Sequence, residues 1–179
     1  MGEVENKVAE TIAAALQAEG IPLSKQHSGS YTILYVRVPI PYSRDVAMSF
    51  YCGDEDEIRV CVPGLIRNVD QTGRSLVLEE CNRMNRETDY VKYYLDPNGW
   101  VNVEYTISSP LAGKHLGSQA VFAYRLIKRA AEKGYAALML AFYTDKGRPQ
   151  GLTPCDDEND RRDSWGYEAD WDPDSGSNE

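Results

Sequence analysis

Histidine occurs only twice, at His27 and His115, and no cysteine pair has the C-x-x-C spacing of a zinc or thioredoxin-type site. Histidine-rich metal centres and redox motifs are therefore excluded at the outset. No apolar run approaches the roughly 20 residues that span a bilayer; the most apolar stretch, Tyr135–Tyr143, is short and late. The first residues, MGEVENKVAE, carry acids where a secretion signal needs a basic and then an apolar segment, so a cytoplasmic chain is expected. A basic surplus is also missing. The formal net charge is −9, and 156–179 alone hold ten acids against Arg161 and Arg162. The rest, 18 acids against 17 bases, is close to neutral. Nucleic-acid affinity depends on clustered Lys and Arg neutralising phosphates, so neither nucleic acid nor membrane is expected as a partner.

Four cysteines remain, Cys52, Cys61, Cys81 and Cys155, and in a reducing compartment they read as buried or incidental thiols. Period-2 counting puts Cys52 in line with Val46, Met48 and Phe50, whereas Cys61 falls out of line with Ile58, Val60 and Val62. The two should face opposite sides of a sheet and form no disulfide.

What is present is a chain of 179 residues with 42% hydrophobic content, enough for one core. Its most legible stretch is Tyr90–Ile107, where two runs rich in Val, Tyr and Trp flank Asp96-Pro97-Asn98-Gly99. Proline presets φ for a turn and Gly99 can take positive φ, so this is a β-hairpin. Alternation places Val91, Tyr93, Leu95, Val101, Val103, Tyr105 and Ile107 on a core face. Lys92, Tyr94, Trp100, Asn102 and Glu104 point the other way. Aromatics rimmed by polar groups suit a protein-binding patch, so these five are the candidate binding residues, against the plainer reading of cross-strand packing that stiffens the hairpin.

Around the hairpin, Val4, Val8, Ile12 and Leu16 mark an amphipathic helix from about Glu3 to Glu19, ended by Gly20 and Pro22. Leu23–Ser30 reads as a connection or a short irregular edge. His27 and Ser28 lie there, and with no acid suitably spaced they read as loop residues and not as part of a triad. Tyr31–Val38 is a strand, and Val46–Cys52 with Glu57–Val62 form a hairpin whose tip, Gly53-Asp54-Glu55-Asp56, is a solvated acidic turn and not a calcium loop. A helix follows over about Asp70–Arg86, with Asn68 or Asp70 as N-cap. The last helix begins between Ser109 and Gly117 and runs to Phe142 or Tyr143, with a seam of Val121, Tyr124, Ile127 or Lys128, Ala131, Tyr135, Leu138 and Phe142 and a weak point at Gly134 that can divide it in two.

The order α-β-β-β-α-β-β-α predicts an α+β fold, a largely antiparallel sheet flanked by helices, in a single domain over 1–144. Over 145–179 apolar residues are too sparse to offset the entropy of ordering, so an acidic, disordered tail is expected. Within it Trp165, Tyr167 and Trp171 form a candidate recognition motif. Asp170, Asp172 and Asp174 imitate the start of a calcium loop, but Ser175 stands where Gly is needed, so no metal and no cofactor are expected.

The helix carrying Cys81-Asn82-Arg83-Met84-Asn85 and the following Lys92-Tyr93-Tyr94-Leu95-Asp96-Pro97-Asn98-Gly99 resemble the YbjN-like family, also called bacterial sensory transduction regulator-like proteins, in which an N-x-x-N helix end leads into such a hairpin. The resemblance covers about Val4–Tyr143 and implies a fold similar to type III secretion chaperones, frequent dimerisation and no catalytic residue. Asn82 and Asn85 read as helix terminators bonding their own backbone. The function expected is that of a non-enzymatic protein-binding module, a chaperone-like or regulatory adaptor that pairs as a homodimer. The competing reading is a small-molecule-binding or enzymatic domain with a pocket on the sheet, which would show as a cluster of titratable groups with shifted pKa.

Overall fold

The computed structural model describes residues 6–144 apart from 30, 42, 44, 54–56 and 109–111. The tail motif of Trp165, Tyr167 and Trp171, the residue Cys155, the residue Val4 expected in the first helix and the acidic tip expected at 54–56 lie outside the described residues. The chain folds as α1 (Lys7–Ala18), β1 (Leu23–Ser28), β2 (Tyr31–Val38), β3 (Val46–Cys52), β4 (Glu57–Ile66), α2 (Arg74–Glu87), β5 (Lys92–Leu95), β6 (Val101–Ser108) and, after a 3₁₀ turn at Gly113–His115, α3 (Leu116–Thr144). The six strands make one sheet in the order β1-β2-β3-β4-β6-β5, and every neighbouring pair is antiparallel. The fold is α+β in the expected order, with one strand more: the segment read as a connection or irregular edge is the regular edge strand β1.

One face of the sheet builds the core. Leu34 and Val36 on β2, Met48 and Phe50 on β3, Val60 and Val62 on β4, and Val101 and Val103 on β6 are all buried. They form one cluster with Ile12 and Leu16 of α1, Val77 and Cys81 of α2, and Ile127 and Leu138 of α3. The long α3 packs on β4 and β6, with α1 and α2 on its flanks. Asn6 fixes the start of α1: its side-chain oxygen accepts from the Val8 and Ala9 amides, both at 3.1 Å, while its amide nitrogen donates to the Cys52 carbonyl at 2.9 Å. One residue thus caps the helix and ties it to β3.

Two expectations about helices are corrected. Gly134 does not divide α3, which runs unbroken for 29 residues. A Cβ at Gly134 would lie 2.7 Å from the Tyr93 ring, whose hydroxyl donates to the Ala130 carbonyl at 2.9 Å. Glycine is there so that β5 and α3 can approach. The expected seam of α3 does face the core, with Ile127, Ala131, Leu138 and Phe142 buried and Val121, Tyr124 and Tyr135 half-buried against it, and Ala120, Ala123 and Ala130 widen the buried stripe. At α2 the helix begins at Arg74, and the Asp70 carboxylate serves the turn before it, accepting from the Gly73 amide at 3.0 Å and the Thr72 hydroxyl at 2.7 Å.

β4 runs past Val62, where Pro63-Gly64 had suggested its end, to Ile66. Its pairing with β6 breaks between Val62 and Ile66, so the proline sits in a bulge where no ladder bond is required of it. The Asp96-Pro97-Asn98-Gly99 turn forms as expected: Gly99 has φ +77° and donates to the Asp96 carbonyl at 3.1 Å. Its own carbonyl accepts from the Val69 amide at 2.9 Å, and a Cβ there would meet the Val69 carbonyl oxygen at 2.7 Å.

Candidate functional site

The second face of the sheet carries no helix among the described residues, because all three helices belong to the single core on the other side. Strand register fixes which side chains share it. Tyr35 pairs with Ser49, Tyr51 with Arg59, Ser49 with Cys61, and Cys61 with Glu104. Glu104 in turn pairs with Lys92, and Tyr94 with Asn102. Directly opposed residues point to the same side, so Tyr35, Ser49, Tyr51, Arg59, Cys61, Glu104, Lys92 and Tyr94 make one band across five strands.

The band is organised by its aromatics. The Arg59 guanidinium lies over the Tyr51 ring, 4.5 Å from its centroid, which holds a cation in place while leaving Arg59 exposed. Although no helix covers them, Ser49 is only 1% exposed and Cys61 only 5%. Burial pushes the Cys61 thiol up to about 11, with Glu104 adding to the rise and Arg59 and a hydrogen bond with Tyr51 opposing it. Burial and then Glu104 push the Tyr94 hydroxyl up to about 12, and that hydroxyl donates to Glu104 Oε2 at 3.1 Å. Tyr94 nevertheless stays 40% exposed. Burial thus holds the Tyr51 and Tyr94 hydroxyls and the Cys61 thiol in their protonated forms at neutral pH, so none of the three is an activated nucleophile. Among the described residues no group of three or more His, Cys, Asp or Glu is placed to hold a metal ion.

Of the five residues singled out from the sequence, Lys92, Tyr94 and Glu104 share this band. Trp100 lies beyond its end, half-buried, with the Arg67 guanidinium 4.8 Å from its ring centroid. Asn102 requires a correction: it is only 6% exposed and serves the fold. Its side-chain oxygen accepts from the Gly64 amide at 2.9 Å, closing the β4 bulge, and its nitrogen donates to the Trp100 carbonyl at 3.3 Å. Gly64 has φ +62°, so its amide is turned out of the ladder and needs this partner. Sequence reasoning passed over Tyr35, Tyr51 and Arg59. The signal was available, since a core set of Met48, Phe50 and Cys52 leaves Tyr51 on the opposite side.

The remaining sequence candidates are placed elsewhere. Asn85 bonds a neighbouring strand and not its own helix: its amide nitrogen donates to the Tyr93 carbonyl and its oxygen accepts from the Tyr93 amide, both at 2.8 Å. Asn82 is exposed and lines an open groove between α2 and the end of α3 with Leu76, Glu80, Arg83 and Ala141. That groove is not on the sheet, and its Arg83 is engaged by Glu80 and Glu87. His27 pairs across to Thr32, with its Nδ1 3.1 Å from the Thr32 hydroxyl. Cys52, Cys61 and Cys81 are free thiols, and the first two lie on opposite faces, as period-2 counting requires.

No helix among the described residues is long and apolar enough to cross a membrane. No curated protein matches the chain. A family model described as "Putative bacterial sensory transduction regulator" matches residues 9–138, from the first turn of α1 to the last turns of α3 and including every strand of the sheet. The chain therefore belongs to the YbjN family.

Proposed function

We propose that this chain is a non-enzymatic protein-binding module, a chaperone-like or regulatory adaptor of the cytoplasm, that receives a polypeptide on the helix-free face of its sheet. The observation that carries the reading is the band of Tyr35, Tyr51 and Tyr94 on an uncovered face, with Arg59, Lys92 and Glu104 around it. Tyrosine rings supply contact area at low entropy cost, and a charged rim supplies orientation. Tyr94 and Trp100 are the anchors of this reading. Lys92 and Glu104 are rim groups, and Asn102 supports the strand beneath them. The tail residues Trp165, Tyr167 and Trp171 are proposed as a separate recognition motif.

The test is affinity for a polypeptide captured from the native cell and then purified. Tyr94→Ala and Trp100→Ala should each weaken binding by about 2 kcal/mol or more while the circular dichroism of the chain is unchanged. Undiminished affinity in both variants would remove the reading.

Homodimerisation is part of the same proposal, but not through the seam of α3. Ile127, Ala131, Leu138 and Phe142 are spent in the chain's own core, so a second copy must meet another surface.

A further inference from the structure

The two edges of the sheet are finished differently. At β5 the outward backbone groups are taken: Asn85 bonds both the amide and the carbonyl of Tyr93, and the Thr88 hydroxyl donates to the Val91 carbonyl at 2.9 Å. The end of α2 thereby closes that edge. At the opposite edge, β1 pairs with β2 continuously from Leu23↔Val36 to Ser28↔Tyr31, and no described strand lies beyond it. Ser28 and Tyr31 close a two-residue connection, so they form a hydrogen-bonded pair, and such pairs alternate along an antiparallel ladder. Ser24, Gln26 and Ser28 therefore turn their amides and carbonyls to β2. Leu23, Lys25 and His27 turn theirs away from the sheet.

Two of the devices that blunt an edge strand are missing from β1. It contains no proline, and its register with β2 has no bulge. Its one charged side chain, Lys25, is drawn to α1, where its ammonium meets both Glu10 carboxylate oxygens at 2.6 and 2.7 Å. That ion pair lies over the helix-bearing side of the sheet and leaves the backbone edge open.

We propose that β1 pairs antiparallel with β1 of a second copy about a two-fold axis through Gln26, joining two six-stranded sheets into one. The proposal rests on the homodimer reading and assigns its interface. A two-fold axis perpendicular to the sheet preserves its faces, so only residues of the same parity can stand opposite one another. The axis then passes through a residue, and Lys25 and Gln26 are the two positions that keep five residues of β1 in register. At Lys25 it would set two ammonium groups against each other, which like-charge repulsion disfavours. At Gln26 it sets Lys25 opposite the partner's His27, both with outward backbone groups, and Ser24 opposite the partner's Ser28. A foreign strand is a poorer occupant. Specificity in strand addition comes from pockets that read alternate side chains, and β1 presents only Ser24, Gln26 and Ser28 on its open face.

The experiment is light scattering on the full chain at about 50 µM, where a dimer of micromolar Kd is populated. The wild-type chain should have the mass of a dimer. Gln26→Lys and Gln26→Glu, each alone, should raise the dissociation constant about tenfold or more, because each sets like charges together at the axis. An equimolar mixture of the two should recover a dimer, as only opposed positions can. His27→Pro removes an outward amide and the side-chain bond to Thr32 but no backbone bond to β2, and should also yield monomer, with the far-ultraviolet circular dichroism of the fold retained. A monomeric wild-type chain would overturn the pairing together with the homodimer reading. A dimer that survives all three substitutions would overturn the β1 assignment alone.

Discussion

Replacing Asn85 with alanine should destabilise the chain by about 2 kcal/mol, through an effect at the edge of the sheet and not in α2. The side-chain amide is positioned to both donate to and accept from Tyr93, at 2.8 Å each way, and Tyr93 is the residue whose ring reaches Ala130 on α3. Alanine removes two hydrogen bonds, each worth about 1 kcal/mol net, and leaves a backbone amide and carbonyl exposed only at the strand margin. Alanine's better helix propensity recovers at most a few tenths of a kcal/mol. For a chain of this size a loss of about 2 kcal/mol lowers the Tm by about 4–8 °C. Urea denaturation should give a lower midpoint with an unchanged slope, since the same surface is exposed on unfolding. Asn85→Asp is the sharper comparison: a carboxylate still accepts from the Tyr93 amide but faces the Tyr93 carbonyl without a proton to give, so it should rescue nothing at neutral pH. A loss below about 0.5 kcal/mol in Asn85→Ala, or a stable Asn85→Asp, would refute the reasoning.

Gly134→Ala should be destabilising by about 1–3 kcal/mol although alanine favours a helix, because the new methyl meets the buried Tyr93 ring at 2.7 Å; a gain in midpoint would show that the ring can yield. Burial raises the thiols of Cys61 and Cys81 to about 11 and that of Cys52 to about 12, against an ordinary 9.0. The folded state therefore holds these protons more tightly than the unfolded state, so stability is full below about pH 9 and falls as pH rises toward 11 and beyond. A Tm flat between about pH 8 and 11 would contradict this burial. Removing Gln150–Glu179 should shift the Tm by less than about 5 °C, since that segment is acidic and poor in apolar residues; a larger fall by differential scanning calorimetry would show that it contributes to the fold.

How much of this was legible in the sequence depends on where the determining contact lies. α1 announced itself through Ile12 and Leu16, and the β5–β6 hairpin through Pro97 and Gly99, because their signals are local. β1 did not: LSKQHS has no alternation, and only pairing with β2 makes it a strand. The core face of α3 was legible through Ile127, Leu138 and Phe142, whereas Ala120, Ala123 and Ala130, which widen the buried stripe, carry too little apolar bulk to announce it. Asn102 looked like part of a polar rim because nothing in its neighbourhood reveals that Gly64, 38 residues away, has an amide in need of an acceptor. The candidate face was half legible. Tyr94, Lys92 and Glu104 follow from the hairpin alone, whereas Tyr35, Tyr51 and Arg59 join them only through the register of β2, β3 and β4.

The central claim is that a polypeptide partner covers the helix-free face of the sheet, and hydroxyl-radical footprinting of the complex tests it most directly. Tyr51 and Tyr94 on that face, with Trp100 at its end, should be protected when the partner binds. Tyr143 on α3 and Leu78 on α2, both exposed on the helical side, should react as they do in the free chain. Protection of Tyr143 and Leu78 with Tyr51 and Tyr94 still reactive would contradict the account and place the partner on the helices.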